Sequence, residues 1–171
     1  TLADVINATL RYNVGEQGYG KAILNRMTVL IFWKDMHSSS DPITLFFGHG
    51  LGSSFTSSSS LAGHVAQQYP RYGINLTAAS TLLWDIGAIG AAIFLSIYAA
   101  AWHTCNNIIK KTTQPTARAE ARAIQVLILI SLVYLNYSDN SVNQIATEVI
   151  TAYAFGYLCI LKKRQVRNDN A

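Results

Sequence analysis

LLWDIGAIGAAIFLSIYAAAW, residues 82 to 102, is the stretch that decides the fold class. It is long enough to cross a hydrocarbon core, which takes about 20 helical residues. Trp84 and Trp102 stand at its ends, where membrane proteins place interfacial aromatics. Two further apolar segments follow. AIQVLILISLVYLNY, 123 to 137, is shorter and also fits a buried soluble helix, while SVNQIATEVITAYAFGYLCIL, 141 to 161, is long enough but polar in its first half.

Charge placement joins the three. Of the 13 Lys and Arg residues, Lys110, Lys111, Arg118 and Arg122 lie between the first two segments, and Lys162, Lys163, Arg164 and Arg167 follow the third. The connection NYSDNS between the second and third has none. A chain that crosses three times puts both basic stretches on one side, and the positive-inside rule makes that side the cytoplasm. The net charge of +4 then reports topology, and nothing in it argues for nucleic acid. Half the chain is hydrophobic and only 13% is charged, against roughly 25% in soluble domains. The expectation is an all-α chain: an outward-facing helical loop region over residues 1 to 80, three membrane helices at 82–102, 123–137 and 141–161, and a cytoplasmic tail over 162 to 171. The opening TLADVINATLRYNVGEQGYG lacks the basic start and apolar run of a signal peptide, so the chain reads as a piece of a longer polypeptide.

Before the first apolar segment, KAILNRMTVLIFWKDM, residues 21 to 36, has apolar positions at helical spacing through Ile23, Met27, Leu30 and Ile31. Arg26 falls within that pattern. It is either a snorkelling or paired arginine, or an anion-binding guanidinium whose planar fork suits phosphate oxygens. FFGHGLGSS, 46 to 54, has no lysine where a P-loop needs one and no third glycine where a dinucleotide fingerprint needs one. Gly48, Gly50 and Gly52 therefore read as turn residues that permit positive φ; His49 between them reads as a capping or exposed residue. SSFTSSSSL is a low-complexity lid or linker. AGHVAQQYPRYGIN forms a short helix that ends before Pro70. His64, Tyr69, Arg71 and Tyr72 cluster near the outer surface, either as an interfacial anchor or as a site for a lipid-linked sugar. Cys105 and Cys159 sit towards the reducing side and share no metal-ligand spacing with a histidine.

The order of these features resembles the C-terminal part of the O-antigen ligase and O-antigen polymerase superfamily. The likeness is carried by an arginine helix (Arg26) with a following tryptophan (Trp33), the glycine turn, and TLLWDIGAIGAAIF. In the last of these, Leu83, Asp85, Gly87 and Gly90 match a pattern like L-x-E-x-G-x-x-G, with Asp for Glu. It covers roughly residues 20 to 161. The resemblance implies a bacterial inner-membrane protein with a cytoplasmic C-terminus. The implied reaction is a transfer of glycan from an undecaprenyl diphosphate carrier to a sugar hydroxyl, needing neither metal nor cofactor. It further implies that Arg26 steadies the diphosphate as negative charge grows on it. Trp33, Arg71 and Tyr72 would then be substrate contacts and His64 a catalytic candidate. Two departures matter: the spacing from Arg26 to Trp33 is longer than the usual pattern, and GINLTAASTLL lacks the histidine that ligases carry about ten residues before the motif glycine. The second departure favours a polymerase-like relative. The competing class is a non-enzymatic membrane subunit of a polysaccharide assembly or export system, with Asp85 and Glu148 as polar contacts between helices or pathway residues.

Overall fold

The computed structural model describes residues 2–14, 24–37, 41–56, 61–139 and 144–169; the side chains of 11–14, 166, 168 and 169 lie outside the description. The described residues hold seven helices and no strand: α1 (Leu2–Val14), α2 (Thr28–His37), α3 (Pro42–Phe47), α4 (His64–Gln68), α5 (Ala78–Lys111), α6 (Pro115–Tyr137) and α7 (Ile145–Asp169). Three of them, α5, α6 and α7 as far as Gln165, are long and apolar enough to span a membrane.

Each spanning helix is longer than its apolar segment, because hydropathy reports the lipid-facing part and not the helix. At the start of α5 the Thr77 hydroxyl accepts from the Ser80 N–H at 3.1 Å, and the Ser80 hydroxyl accepts from the Thr77 N–H at 3.3 Å. This reciprocal cap begins the helix at Ala78, ahead of the apolar segment. α6 opens on Pro115, whose fixed φ and missing N–H suit a first turn. Its TARAEARA start is helix-forming but too polar for an apolar window. α7 runs through KKRQVRND, so residues 162–169 extend the third helix.

The chain divides into two compact units. The first is Thr1–Ala92 with Leu135–Asn140, and the second is Ile93–Tyr134 with Ser141–Ala171. In the second unit Tyr98, Ala101, Cys105 and Ile108 of α5 pack with Ala121, Ile124 and Ile128 of α6 and with Leu158 and Leu161 of α7. Steps of three and four along α5 place these residues on one face of the helix. Tyr98 meets Phe155 edge to face at 5.3 Å. The Gln125 amide donates to Asn106 Oδ1 at 2.8 Å, tying α6 to α5. Large apolar residues on the outside of all three helices, among them Ile93, Ile97, Leu129, Val133, Val149 and Tyr153, remain exposed, as lipid-facing positions must be.

The first unit is built on a separate core of Leu24, Val29, Phe32, Trp33, Val65, Ala66, Ile74 and Trp84. Its entry helix differs from the sequence expectation. α2 begins at Thr28, not residue 21, because buried Asn25 caps it. Asn25 Oδ1 accepts from the Met27 and Thr28 N–H groups at 3.0 and 2.7 Å, and the Thr28 hydroxyl accepts from the Asn25 N–H at 2.7 Å. Residues 21–23 of the expected helix lie outside the described residues.

Candidate functional site

The glycine turn is where the elements of the first unit meet, and α5 explains why. Gly87 has φ 69° and ψ −175°, so the helix is broken there and continues beyond it. A break in a helix leaves the carbonyls of the preceding turn without their usual donors. Three of these carbonyls receive donors from elsewhere. Leu83 O accepts from the Trp33 indole at 3.1 Å, Trp84 O from the His49 N–H at 2.9 Å, and Asp85 O from the Gly50 N–H at 2.9 Å.

The Asp85 side chain completes the junction. Its Oδ2 accepts from the Gly52 N–H at 2.7 Å, and its Oδ1 accepts from the Ser53 hydroxyl and the Ser54 N–H, both at 2.9 Å. A buried carboxylate surrounded by three donors is a satisfied structural anion. On the other edge of the turn, Ser53 O accepts from the Val65 and Ala66 N–H groups at 3.1 Å, and Phe55 O accepts from the Gly63 N–H at 2.9 Å, docking α4. The turn thus fastens α4 and the end of α3 to the break in α5. α3 reaches it through its own caps: Asp41 accepts from the Ile43 N–H at 3.0 Å, and Gly48, at φ 74°, ends the helix.

This arrangement accounts for the spacing Asp85–Gly87–Gly90. Asp85 holds the turn, Gly87 supplies the left-handed break, and a Cβ on Gly90 would lie 2.6 Å from the Ile86 Cβ. None of the three projects a reactive group into a cleft. Glu148, by contrast, is exposed in the first turn of α7, where the helix dipole favours a negative charge.

Against the turn lies a cluster of rings. His37, buried at the end of α2, faces His49 with the two Nε2 atoms 3.0 Å apart, and its Nδ1 is 2.7 Å from Trp33 O. A carbonyl only accepts, so Nδ1 of His37 carries a hydrogen; in the neutral ring Nε2 is then bare, and His49 Nε2–H is the donor. His64, the first residue of α4, has its ring centroid 6.0 Å from that of His49. Trp84 packs on both His37 and His49. Burial holds the His49 imidazole below its ordinary pKa; His37 and His64 push it the same way, and Asp41 and Asp85 oppose them.

The chain matches no family model, no curated protein and no solved structure. The site therefore has to be read from its own geometry.

The residues singled out in the sequence take different places. Arg26 lies in the turn before α2 and not inside a helix. Its Nε donates to Tyr137 O at 3.0 Å, and its guanidinium carbon sits 4.3 Å from the Tyr137 ring centroid, at the end of α6. Trp33 is a core residue whose indole N–H is used by Leu83, which leaves it badly placed for a substrate. Tyr72 stacks on Phe32 with centroids 4.9 Å apart, and Tyr69 meets the same ring edge to face at 5.3 Å. Arg71 between them is exposed. His64 and His49 come together, whereas the sequence set His49 aside as part of a turn. His37 and Asn25 were not singled out at all; the N-x-x-T spacing of Asn25 and Thr28 is the one local signal that marks the cap. Among the described residues no three His, Cys, Asp or Glu side chains are grouped to hold a metal ion.

Proposed function

We propose that the chain is the C-terminal portion of a membrane polysaccharide polymerase or ligase. In this reading it joins glycans carried on undecaprenyl diphosphate during O-antigen, capsule or exopolysaccharide synthesis, in the bacterial inner membrane and with its C-terminus in the cytoplasm. One observation carries the reading: Arg26 is held at the end of a helix able to span a membrane, by a hydrogen bond and a ring contact from Tyr137. A guanidinium at that level lies where the diphosphate of a lipid carrier would lie, and a fixed cation there stabilises negative charge on the leaving diphosphate. The exposed Arg71, flanked by Tyr69 and Tyr72, offers a second cation beside aromatic faces.

The test is Arg26→Ala and Arg26→Lys in the full-length protein, read as glycan ladders alongside the amount of protein in the membrane. Both variants are expected to remain in the membrane and to lose long-chain glycan, because lysine keeps the charge but not the fork. A normal ladder from Arg26→Ala sinks the reading.

A second reading, a non-enzymatic subunit of a polysaccharide assembly or export complex, is favoured by the structural duties of Trp33, Asp85, Gly48 and Gly87. It predicts that glycan synthesis is unchanged in both arginine variants while assembly with partner proteins is lost in Asp85→Asn.

A further inference from the structure

The His37–His49 contact does something that neither packing nor the glycosyl-transfer reading requires. It joins two elements, the end of α2 and the glycine turn, through a hydrogen bond between two imidazoles, the side-chain type whose ordinary charge change falls closest to neutral pH. In the neutral pair the facing nitrogens share one hydrogen, held on His49 Nε2 and pointing at the bare His37 Nε2. Where one added proton goes follows from the bonds already made. His37 Nδ1 is occupied by its bond to Trp33 O, so the open nitrogen that leaves the contact intact is His49 Nδ1. The contact then becomes imidazolium to imidazole, a charge-assisted bond that is stronger than before. A second proton has only His37 Nε2 left, and there N–H would face N–H across 3.0 Å, with two positive rings against each other.

We propose that His37 and His49 form a proton-operated latch between α2 and the glycine turn, closed while the pair carries no more than one added proton and opened by a second. The groups facing the pair set its working range. Among the described residues of its own element, the Trp33 carbonyl and ring touch His37, and Lys34 shares the last turn with it. From α5 the pair meets Trp84 and the Asp85 carboxylate, from the cap of α3 the Asp41 carboxylate, and from α4 His64. Burial opposes a proton on His49 most, His37 and His64 oppose it further, and Asp41 and Asp85 favour it. Opening would break the direct bond between the end of α2 and the turn, while His49 N–H to Trp84 O keeps the turn on α5 and the Trp33 indole to Leu83 O keeps the body of α2 there.

The proposal is independent of the enzymatic reading, and its test needs no substrate. The chain, labelled with nitrogen-15 and held in detergent micelles, is titrated from pH 8 to pH 4. Ring nitrogens are followed by NMR and the tryptophans by fluorescence, since an imidazolium quenches a neighbouring indole. The expected result is His37 as the Nδ1–H tautomer at pH 8 and two coupled steps for the pair, the second proton taken at least about tenfold less readily than the first. Faster amide exchange at the His37 end of α2 should accompany the second step alone. His49→Gln, which keeps a neutral donor on His37, should collapse the two steps into one, and His64→Gln should leave two. An Nε2–H tautomer for His37 at pH 8, or two rings titrating independently, overturns the latch. If His49→Gln does not fold, the wild-type titration decides by the same two criteria.

Discussion

Gly48 and Gly87 lie backbone against backbone. A Cβ built on Gly48 would fall 2.6 Å from the Gly87 nitrogen, and one built on Gly87 would fall 2.5 Å from the Gly48 nitrogen. Both residues also have positive φ, 74° and 69°. The end of α3 and the break in α5 therefore approach more closely than any side chain permits, and the carbonyls of Trp84 and Asp85 meet their donors on the turn because of it.

Alanine at either position should consequently be costly. The left-handed backbone contributes about 1–2 kcal/mol and the clash about 1–3 kcal/mol more. Gly48→Ala and Gly87→Ala are expected to lower the thermal midpoint in micelles sharply. Gly50→Ala, with φ 101° but open space around it, should show only the backbone share. Gly156→Ala, in helix α7 with nothing near its would-be Cβ, should stabilise by up to about 1 kcal/mol.

Asp85 supplies a second expectation. An asparagine in its place presents N–H to one of three groups that are themselves donors, so Asp85→Asn should cost on the order of 3 kcal/mol. Limited proteolysis gives the local readout: cleavage within residues 48–56 should accelerate in the variant. Cleavage at the wild-type rate would show that the carboxylate does not hold the turn.

His49 makes stability depend on pH in a definite direction. Its folded pKa lies below the ordinary 6.5, so the folded chain binds fewer protons than the unfolded one between those two values. The stabilisation is fully present above 6.5 and falls away as pH drops from there towards the folded value. The thermal midpoint should decline between pH 7.5 and pH 5, and His49→Gln should flatten that decline.

Topology is testable at positions the structure leaves accessible. In a background with Cys105 and Cys159 replaced, single cysteines at Leu51, which is 88% exposed, and at Gln144 should react with an impermeant reagent added outside whole cells. Cysteines at Gln114 and Lys163, also exposed, should react only after the membrane is opened. Reaction of all four from outside would remove the three-crossing arrangement.

The three spans were legible because a bilayer imposes a length and a composition that a single helix must satisfy by itself. The short helix before Pro70 was legible for a similar reason, since Pro70 acts on its immediate neighbours, whereas the piece before the glycine turn read equally as extended or helical. Helix lengths were not, since polar helix formers such as those of residues 115–122 carry no hydropathy signal. The work of Asp85 and Gly87 was hidden for a deeper reason. Their partners, Gly48 and residues 50 to 54, lie more than thirty positions away in the chain, and periodicity reports only neighbours on one element. The same distance hid the placement of Arg26 against Tyr137, which depends on a contact across 111 positions. The sequence by itself determined a helical membrane chain with a glycine turn before its first span. Only the tertiary structure decided that the turn closes on a broken helix, because the hydrogen bonds that the break leaves unmade can be completed only by a segment folded back from elsewhere.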